Sequence, residues 1–145
     1  MRKIIKFIMY ILILTILVSC TENKVDKFSN FDSISMSLES EKEGIYKLVL
    51  YHEDGLVKFE QLDAYMNISA LNLDEEKSKE LAQLSEEEMN NENKDHSITI
   101  ECFLSENKDA IIIRQITDFE KAKKEILLDE FVKTYELKGF EVTLE

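Results

Sequence analysis

The sequence of 145 residues contains no proline, only three glycines, two cysteines and two histidines. With so little proline and glycine, few positions are marked as obligatory loops. The histidines occur in no H-x-x-x-H or H-E-x-x-H spacing and the cysteines in no C-x-x-C pair, which excludes the common zinc motifs. The G-x-S-x-G elbow of serine hydrolases is also absent from the sequence. We therefore predict that the protein is not an enzyme and has neither a metal site nor a cofactor.

Four features of the sequence contain side chains of the kinds that bind metals or act in catalysis, and each has a plainer structural interpretation. His52, next to two acidic residues, offers a metal ligand, but a histidine at the end of a hairpin is the favoured interpretation. His96 begins a strand after a polar loop, which favours an exposed boundary residue. Cys102 occupies an apolar position within a strand, where a buried thiol is inert. Segment 86–95 offers carboxylates to Ca²⁺ but lacks the D-x-[DN]-x-[DN]-G spacing, so we favour a solvated helix end.

The first twenty residues have the layout of a secretory signal peptide. A basic start with Arg2 and two lysines precedes an apolar run over residues 7–18, and Cys20 follows a serine. A helix over this run of twelve residues would be only about 18 Å long, whereas the hydrocarbon core of a bilayer is about 30 Å thick. A permanent transmembrane span is therefore the weaker alternative.

The four residues that end at Cys20, L-V-S-C, resemble a bacterial lipobox. The resemblance implies that the cysteine is diacylated and that the peptide is cleaved before it. We therefore predict a signal peptide over residues 1–19, a lipidated Cys20 with a flexible tether over 20–30, and one domain over 31–145. The predicted location is the extracytoplasmic face of the cell membrane, and an ordinary secreted protein is the alternative.

The chain is strongly acidic, with a formal net charge of −12. Removal of residues 1–19 takes away three basic residues and no acidic ones, which leaves 15 basic against 30 acidic residues and a charge of −15. Such a surface repels nucleic-acid phosphates and anionic lipid headgroups, so we predict no nucleic-acid partner. Membrane attachment then depends on the lipid of Cys20, whose two acyl chains contribute on the order of 20 kcal/mol. Once Cys20 is acylated, Cys102 has no disulfide partner in the chain.

Alternation of apolar and polar residues predicts strands over residues 32–40 and 45–53. Asp54 and Gly55 then predict a two-residue hairpin turn of the primed type, because such a turn needs positive φ at both central positions. The third strand is predicted to run from 56 to about 69.

The hairpin turn also predicts the register of the two strands it joins. Counting back from the turn pairs His52 with Val57 and Leu50 with Phe59, which places Leu50, Val57 and Phe59 on one buried face. The apolar positions of the third strand then change parity, and a β-bulge over residues 60–63 is predicted to cause this change.

Two helices are predicted, one after the third strand and one near the C-terminus. Asp74 is a predicted N-cap for a helix over about 75–89, and Asp118 for a longer helix that ends at Gly139. The apolar residues of the first helix are few, namely Leu81, Ala82, Leu84 and Met89. The second helix is predicted to be the main cover of the sheet, with the apolar residues Phe119, Ala122, Ile126, Leu127, Phe131 and Tyr135.

Between the two helices, alternating residues on either side of a turn near 107–109 predict a second hairpin. If residues 107 and 108 form the turn, Glu101 lies opposite Arg114, and Cys102 lies opposite Ile113. A short final strand follows the second helix. The order βββ-α-ββ-α-β predicts an α+β fold, in which an antiparallel sheet built from hairpins has two helices packed on one face.

This order of elements over residues 44–142 resembles the YehR-like family of small bacterial lipoproteins. The resemblance rests on a strand entered by L-V-K from Leu56, on the acidic helix of residues 74–84, on the Asp118-Phe119 pair, and on a final helix that closes on Gly139-Phe140. It implies the fold and the lipid anchor. It implies no catalytic residues, because no activity is assigned to the family.

Two classes of function agree with these expectations. The first is a membrane-anchored binding or interaction module that engages an envelope protein or a small ligand, and the second is a structural or accessory subunit of an envelope complex. Four tyrosines offer the lining of a ligand cleft between the sheet and the helices, while tyrosines with packed rings and surface hydroxyls are the plainer interpretation. They are Tyr46, Tyr51, Tyr65 and Tyr135.

Overall fold

The computed structural model describes residues 28–41 and 44–143. The chain divides into two compact units, Met1–Phe31 and Asp32–Glu145. In the first unit, the N–H of Phe31 donates to the carbonyl of Phe28 at 3.1 Å and closes a turn. The predicted signal peptide, Cys20 and the tether up to residue 27 lie outside the described residues. Among the helices that the structure describes, none is long and apolar enough to span a membrane.

The second unit consists of one six-stranded sheet and two α-helices. The strands are β1 (Asp32–Ser40), β2 (Gly44–Glu53), β3 (Leu56–Asn67), β4 (Ile98–Leu104), β5 (Ala110–Asp118) and β6 (Glu141–Thr143). The helices are α1 (Glu75–Glu92) and α2 (Leu128–Leu137), and a single 3₁₀ turn spans Ser69–Leu71. The strand order across the sheet is β4-β5-β3-β2-β1-β6, with every neighbouring pair antiparallel. The predicted α+β class, with an antiparallel sheet and two helices, is confirmed.

The two helices lie on the same face of the sheet. In an antiparallel sheet, directly opposite residues point to the same side, and one such row joins Met36, Leu48, Leu62, Gln115 and Ile100 across five strands. At one end of this row, Met36 and Leu48 belong to the core cluster that contains residues of α2. At the other end, Ile100 packs with the cluster that contains residues of α1.

The strand order explains why both helices share a face. Two connections, from β3 to β4 and from β5 to β6, each join a pair of parallel strands. The strands β3 and β5 run in opposite directions, and the two connections lead to opposite edges of the sheet. Crossovers of one handedness must then pass over the same face, and such crossovers are almost always right-handed. We call this side the helix-covered face and the other side the helix-free face, since no described helix lies over it.

The first hairpin has the predicted turn but a different register. Asp54 and Gly55 have φ of 52° and 77°, and His52 pairs with Val57 as predicted. The register shifts between Tyr51 and His52, so Phe59 lies opposite Tyr51 rather than Leu50. The predicted pairing of Leu50 with Phe59 is therefore wrong, and the extra residue falls next to the turn instead of at 60–63.

Hydrogen bonds outside the hairpin account for the position of this bulge. The carbonyl of Lys58 accepts the N–H of Phe119 at 3.0 Å, and the N–H of Val57 donates to the carbonyl of Ile126 at 2.9 Å. Both bonds come from the segment between β5 and α2, which passes over the tip of the hairpin. The start of β3 therefore pairs partly with this segment, which a count from the turn does not include.

The second helix begins nine residues later than predicted, at Leu128 rather than at residue 119. Asp118 ends β5, and its side chain accepts the N–H of Lys121 at 3.0 Å, but the turn that follows stops at Lys123, which has a φ of 54°. The chain then runs beside the first hairpin, where the N–H of Leu128 donates to the carbonyl of Gly55 at 3.0 Å. Leu127, predicted in the apolar stripe, is 52 % exposed because it lies in this extended segment.

The C-terminal end of α2 is capped as the sequence predicts. Gly139 has a φ of 94°, which glycine adopts without a steric penalty. Its N–H donates to the carbonyl of Glu136 at 2.9 Å, and the N–H of Phe140 donates to that of Tyr135 at 3.1 Å. These two bonds form a Schellman motif, and the rings of Tyr135 and Phe140 lie edge to face at 5.1 Å.

Helix α1 has its predicted N-cap and a thinner apolar side than expected. The carboxylate of Asp74 accepts the N–H of Lys77 at 2.8 Å, and the helix continues to Glu92 rather than ending near 89. Its buried residues are Ser78 and Ala82, whereas Leu84 is 56 % exposed. Leu84, one of the four apolar residues of the predicted helix, therefore lies outside the core.

Candidate functional site

The centre of the helix-free face is a row of four charged residues, each from a different strand. Lys47 of β2 lies opposite Asp63 of β3, Asp63 lies opposite Arg114 of β5, and Arg114 lies opposite Glu101 of β4. The sign of the charge alternates along the row. The predicted register of the second hairpin, which places Glu101 opposite Arg114 and Cys102 opposite Ile113, is confirmed. We call these four residues the charge row.

An ion pair with two hydrogen bonds lies in the middle of the charge row. Arg114 donates from Nε to Oδ1 of Asp63 at 2.8 Å and from Nη2 to Oδ2 at 2.7 Å. The guanidinium carbon of Arg114 lies 4.9 Å from the centre of the Phe103 ring, which is close enough for a cation–π attraction between the two groups. Hydrogen bonding to Asp63 raises the pKa of Arg114, although burial opposes this shift. Asp63 is only 6 % exposed, so its carboxylate is held in place by the surrounding side chains. The two hydrogen bonds to this carboxylate fix the position of the Arg114 guanidinium.

A neighbouring amide completes the surroundings of the guanidinium. The Gln61 amide is oriented so that its oxygen faces donors and its nitrogen faces acceptors. In this orientation the oxygen accepts from Nε and Nη2 of Arg114 at 3.2 and 3.3 Å. At the end of the row, the ammonium of Lys47 lies 5.3 Å from the centre of the Tyr65 ring. Charged and aromatic side chains are thus interleaved on this face.

Two further rows flank the charge row, an apolar row on one side and a row of two apolar and two polar residues on the other. On one side, the register aligns Ile45, Tyr65, Ile112 and Phe103. On the other side, it aligns Val49, Gln61, Ile116 and Thr99. Ile45 is 41 % exposed, whereas Ile112 is buried. We call the charge row and these two flanking rows the three-row surface.

The two central residues of the three-row surface, Arg114 and Asp63, are committed to each other. Arg114 has no proton to exchange near neutral pH, and Asp63 is committed to the guanidinium by two hydrogen bonds. Within residues 28–41 and 44–143, no group of three or more His, Cys, Asp or Glu side chains is placed to hold a metal ion. The surface offers aromatic rings, aliphatic side chains and charges of both signs, which are groups that bind partners.

The two histidines are in separate surroundings. His52 lies opposite Asp32 in β1 and Val57 in β3, and is half-buried beside the hairpin tip. His96 is exposed in the loop before β4 and lines a surface depression together with Lys94 and Lys121. Both positions agree with the structural interpretations given above, a hairpin-end residue and an exposed residue at a strand boundary.

Cys102 points to the helix-covered face and is 8 % exposed. Burial, and to a smaller extent the nearby carboxylate of Glu86, raises the pKa of its thiol. The thiol therefore remains protonated near neutral pH, which makes it a poor nucleophile. This environment agrees with the predicted role of a small core residue.

The acidic and asparagine-rich end of α1 has a role that the sequence analysis missed. Three side chains from it bind the outer edge of the edge strand β4, at spacings of four and three residues along one side of the helix. Glu86 accepts the N–H of Cys102 at 2.7 Å. Asn90 and Asn93 donate to the carbonyls of Ile100 and Ile98, each at 3.0 Å. The helical spacing of 86, 90 and 93 is the signal in the sequence that points to one shared contact.

These three bonds protect an edge of the sheet. An edge strand presents N–H and C=O groups to which another strand can add, and proteins commonly cover or interrupt such edges. Here the side chains of α1 occupy three of the backbone groups of β4. The segment predicted to be only a solvated helix end therefore covers the β4 edge.

The tyrosines do not share one cleft. Tyr51 and Tyr65 lie on the helix-free face, whereas Tyr46 and Tyr135 belong to the core on the helix-covered face. A cleft between sheet and helices that is lined by all four tyrosines is therefore not formed. Comparison of the chain with protein-family models, with curated proteins and with solved structures finds no match.

Proposed function

We propose that the protein is an extracytoplasmic lipoprotein, anchored to the cell membrane through lipid on Cys20, whose domain is a binding or interaction module. In this proposal, residues 1–19 are a cleaved signal peptide and residues 20–30 tether the domain. The basic start, the apolar run and the L-V-S-C sequence support the anchor. The YehR-like resemblance, which we also keep as a proposal, supports the same location.

The observation that carries the proposed binding role is the composition of the three-row surface. An antiparallel sheet that faces water on one side normally alternates between apolar residues toward the core and polar residues toward the solvent. On this face the register instead aligns an isoleucine, a tyrosine, a second isoleucine and a phenylalanine in one row beside the charge row. Aromatic residues and arginine are also the residue types enriched in protein interfaces.

A structural or accessory subunit of an envelope complex is the second candidate. The same surface supports this role, because a permanent complex also requires an apolar area outside the core of the domain. The two candidates differ in the stability of the complex. A subunit of an envelope complex stays bound to its partner during a pull-down, whereas a transient partner dissociates in part. We propose binding rather than catalysis, because neither the charge row nor the two histidines form a set of acid, base and nucleophile.

The test is a pull-down of the native lipoprotein from detergent-solubilised envelope. Ile45→Glu places a new charge on the three-row surface, and Leu84→Glu makes the same change at a similarly exposed residue on the outer side of α1. We expect partner capture to be lost with Ile45→Glu and kept with Leu84→Glu. Equal capture by both variants would assign the binding surface to another part of the domain.

The anchor is tested separately with Cys20→Ala. This variant is expected to leave the membrane fraction and to lack the mass of the acyl chains, because no other cysteine follows the predicted signal peptide closely. The same membrane fraction and the same processed mass as in the wild type would contradict a lipid anchor on Cys20.

A further inference from the structure

We propose that the three-row surface binds a second copy of this chain, face to face, with the two copies side by side on one membrane. This inference rests on the proposed function, because it names the partner of the proposed binding surface. Its structural basis is the order of signs in the charge row: Lys47, Asp63, Arg114 and Glu101 read plus, minus, plus, minus across β2, β3, β5 and β4.

Such an order is complementary to itself under one particular two-fold rotation. When the axis runs parallel to the strands, midway between β3 and β5, the row of the second copy is reversed. Lys47 then faces the partner's Glu101, and the pair of Asp63 and Arg114, whose carboxylate is buried, lies over the same pair of the partner. The two-fold repeats the contact between Lys47 and Glu101, as an interface between identical patches requires.

The other two-fold that brings the same faces together is disfavoured by charge. An axis that runs along the charge row leaves the order of the row unchanged, so that Lys47 faces the partner's Lys47. Like charges placed together across an interface weaken association strongly. The charge row therefore selects the axis that is parallel to the strands.

The flanking rows fit the same axis. Strand β2 of one copy lies over β4 of the other, so Ile45 faces the partner's Phe103. Strand β3 lies over β5, so Tyr65 faces the partner's Ile112. Two sheets that pack face to face keep their strand directions within about 30°, which preserves these oppositions near the axis.

The selected axis also agrees with the proposed anchor. Rotation about an axis parallel to the strands keeps the direction of each strand, so the Asp32 ends of both copies lie on the same side. The two tethers then begin on the same side of the dimer, whereas the excluded axis would place their starting points on opposite sides.

The charge of the three-row surface does not oppose association. This surface carries two positive and two negative charges, whereas the chain without residues 1–19 has a charge of −15. Contacts between surfaces that carry this excess of negative charge are repulsive. A surface with balanced charge and apolar side chains avoids that repulsion.

The area of the contact predicts a weak dimer. Four strands spaced about 4.8 Å apart, along the seven residues of β4 at about 3.4 Å each, give about 450 Å² per copy and about 900 Å² in total. This value lies below the range of stable interfaces and within that of transient ones. Confinement of both copies to one membrane raises their local concentration, so association is expected there rather than in dilute solution.

The test measures energy transfer between donor-labelled and acceptor-labelled copies of the mature lipoprotein in phosphatidylcholine vesicles. Lys47→Glu and Glu101→Lys each place like charges together twice per dimer, so each variant alone is expected to weaken association about tenfold or more. An equimolar mixture of the two variants restores the opposite charges and is expected to return transfer to near the wild-type level. Lys133→Glu, the same change on an exposed residue of α2, is the matched control and should leave association unchanged.

The outcomes separate this inference from the proposed function. Weakening by Lys47→Glu that equals the effect of Lys133→Glu, or a mixture that fails to restore transfer, would overturn the dimer. No transfer above the level of random encounters in the wild type would overturn it as well. In either case, capture of a different envelope protein that Ile45→Glu abolishes would leave the proposed binding role standing. A comparison of melting curves shows whether each variant is folded, and restoration in the mixture cannot arise from a change in folding of either chain.

Discussion

Tyr135 of α2 donates its phenolic O–H to Oε1 of Glu60, a carboxylate of β3 that points to the helix-covered face. Both residues are buried, with 9 % and 8 % of their surface exposed. Burial raises the pKa of Glu60, while the hydrogen bond from Tyr135 and the charge of Lys138 oppose this shift. Burial and the hydrogen bond to Glu60 also raise the pKa of Tyr135. The helix is therefore joined to the sheet by a polar contact within an apolar cluster.

The Glu60 carboxyl is expected to make stability depend on pH. Its pKa in the folded chain lies above its ordinary value of 4.5, so its contribution to stability is complete below pH 4.5 and is lost as pH rises through the folded pKa. The free energy of unfolding should therefore rise, relative to Glu60→Gln, as pH falls from 7 toward 4.5. Urea titrations at several pH values measure this difference. Parallel pH profiles for the wild type and Glu60→Gln would contradict the prediction, and Glu87→Gln, an exposed change on α1, is the control.

The ion pair between Arg114 and Asp63 is expected to be costly to break from one side. Arg114→Ala leaves a carboxylate whose side chain is 8 % exposed without its two hydrogen bonds, so we expect a loss of about 2 to 4 kcal/mol in the free energy of unfolding. Lys77→Ala removes a pair whose side chains are 66 % and 60 % exposed and should cost no more than about 1 kcal/mol. Urea titrations compare the two variants. Adding Asp63→Ala to Arg114→Ala should recover part of the loss, and a further loss would show that a stranded charge is not the cause.

The cover of the β4 edge by α1 is expected to protect a backbone amide from hydrogen exchange. Glu86→Ala removes the acceptor of the Cys102 N–H, and a hydrogen bond to a charged group contributes about 1.5 to 3 kcal/mol. We expect exchange at Cys102 to accelerate about tenfold or more, as measured by NMR. Glu87→Ala is the matched control, because that carboxylate contacts only Gln83 on the exposed side of α1 among the described hydrogen bonds. Equal exchange rates at Cys102 in the two variants would rule out edge protection by Glu86.

The two helices are expected to contribute unequally to the core. Phe131 of α2 lies edge to face with the rings of Phe119 and Tyr135, at 5.6 and 5.3 Å, and packs against the larger buried cluster. Its truncation to Ala should cost about 3 kcal/mol or more. Leu84 of α1 is 56 % exposed, so Leu84→Ala should cost less than about 1 kcal/mol. A reversed ranking in urea titrations would contradict this description of the core.

Most elements of the fold could be predicted from local sequence signals. The Asp54-Gly55 turn, the Asp74 N-cap and the Gly139 C-terminal cap each depend on residues that are close together in the chain. The register of the second hairpin follows from its turn in the same way, and Glu101 does lie opposite Arg114. Turns and helix caps depend on a few neighbouring residues. They can therefore be recognised even in a sequence without proline and with little glycine.

The errors all involve contacts between distant segments. Phe59 changes face because the bulge beside Lys58 forms where the hairpin tip pairs with residues 126–128. The same pairing delays the start of α2 from 119 to 128, although Asp118 does provide an N-capping bond for one turn. A local pattern of apolar residues did not distinguish a helix from a turn followed by an extended segment, because both bury Phe119 and Ile126.

The candidate surface required the tertiary structure. The Glu101 and Arg114 half of the charge row lies within the second hairpin, and a count from its turn predicts the pair. The Lys47 and Asp63 half lies within the first hairpin, where the bulge makes the same count wrong by one residue. Asp63 joins this row because β3 pairs with β5, 51 residues away in the chain, and because the bulge shifts the parity of β3.

The sequence by itself determined the elements, their order, the α+β class and the expectation of a lipid anchor, because these depend on periodicity, on capping residues and on the first twenty residues. Only the tertiary structure decided which residues share the helix-free face and that α1 covers the edge of β4. The physical reason is that the pairing of distant strands and the packing of a helix against an edge are selected by the free energy of the whole domain. No short segment contains that information.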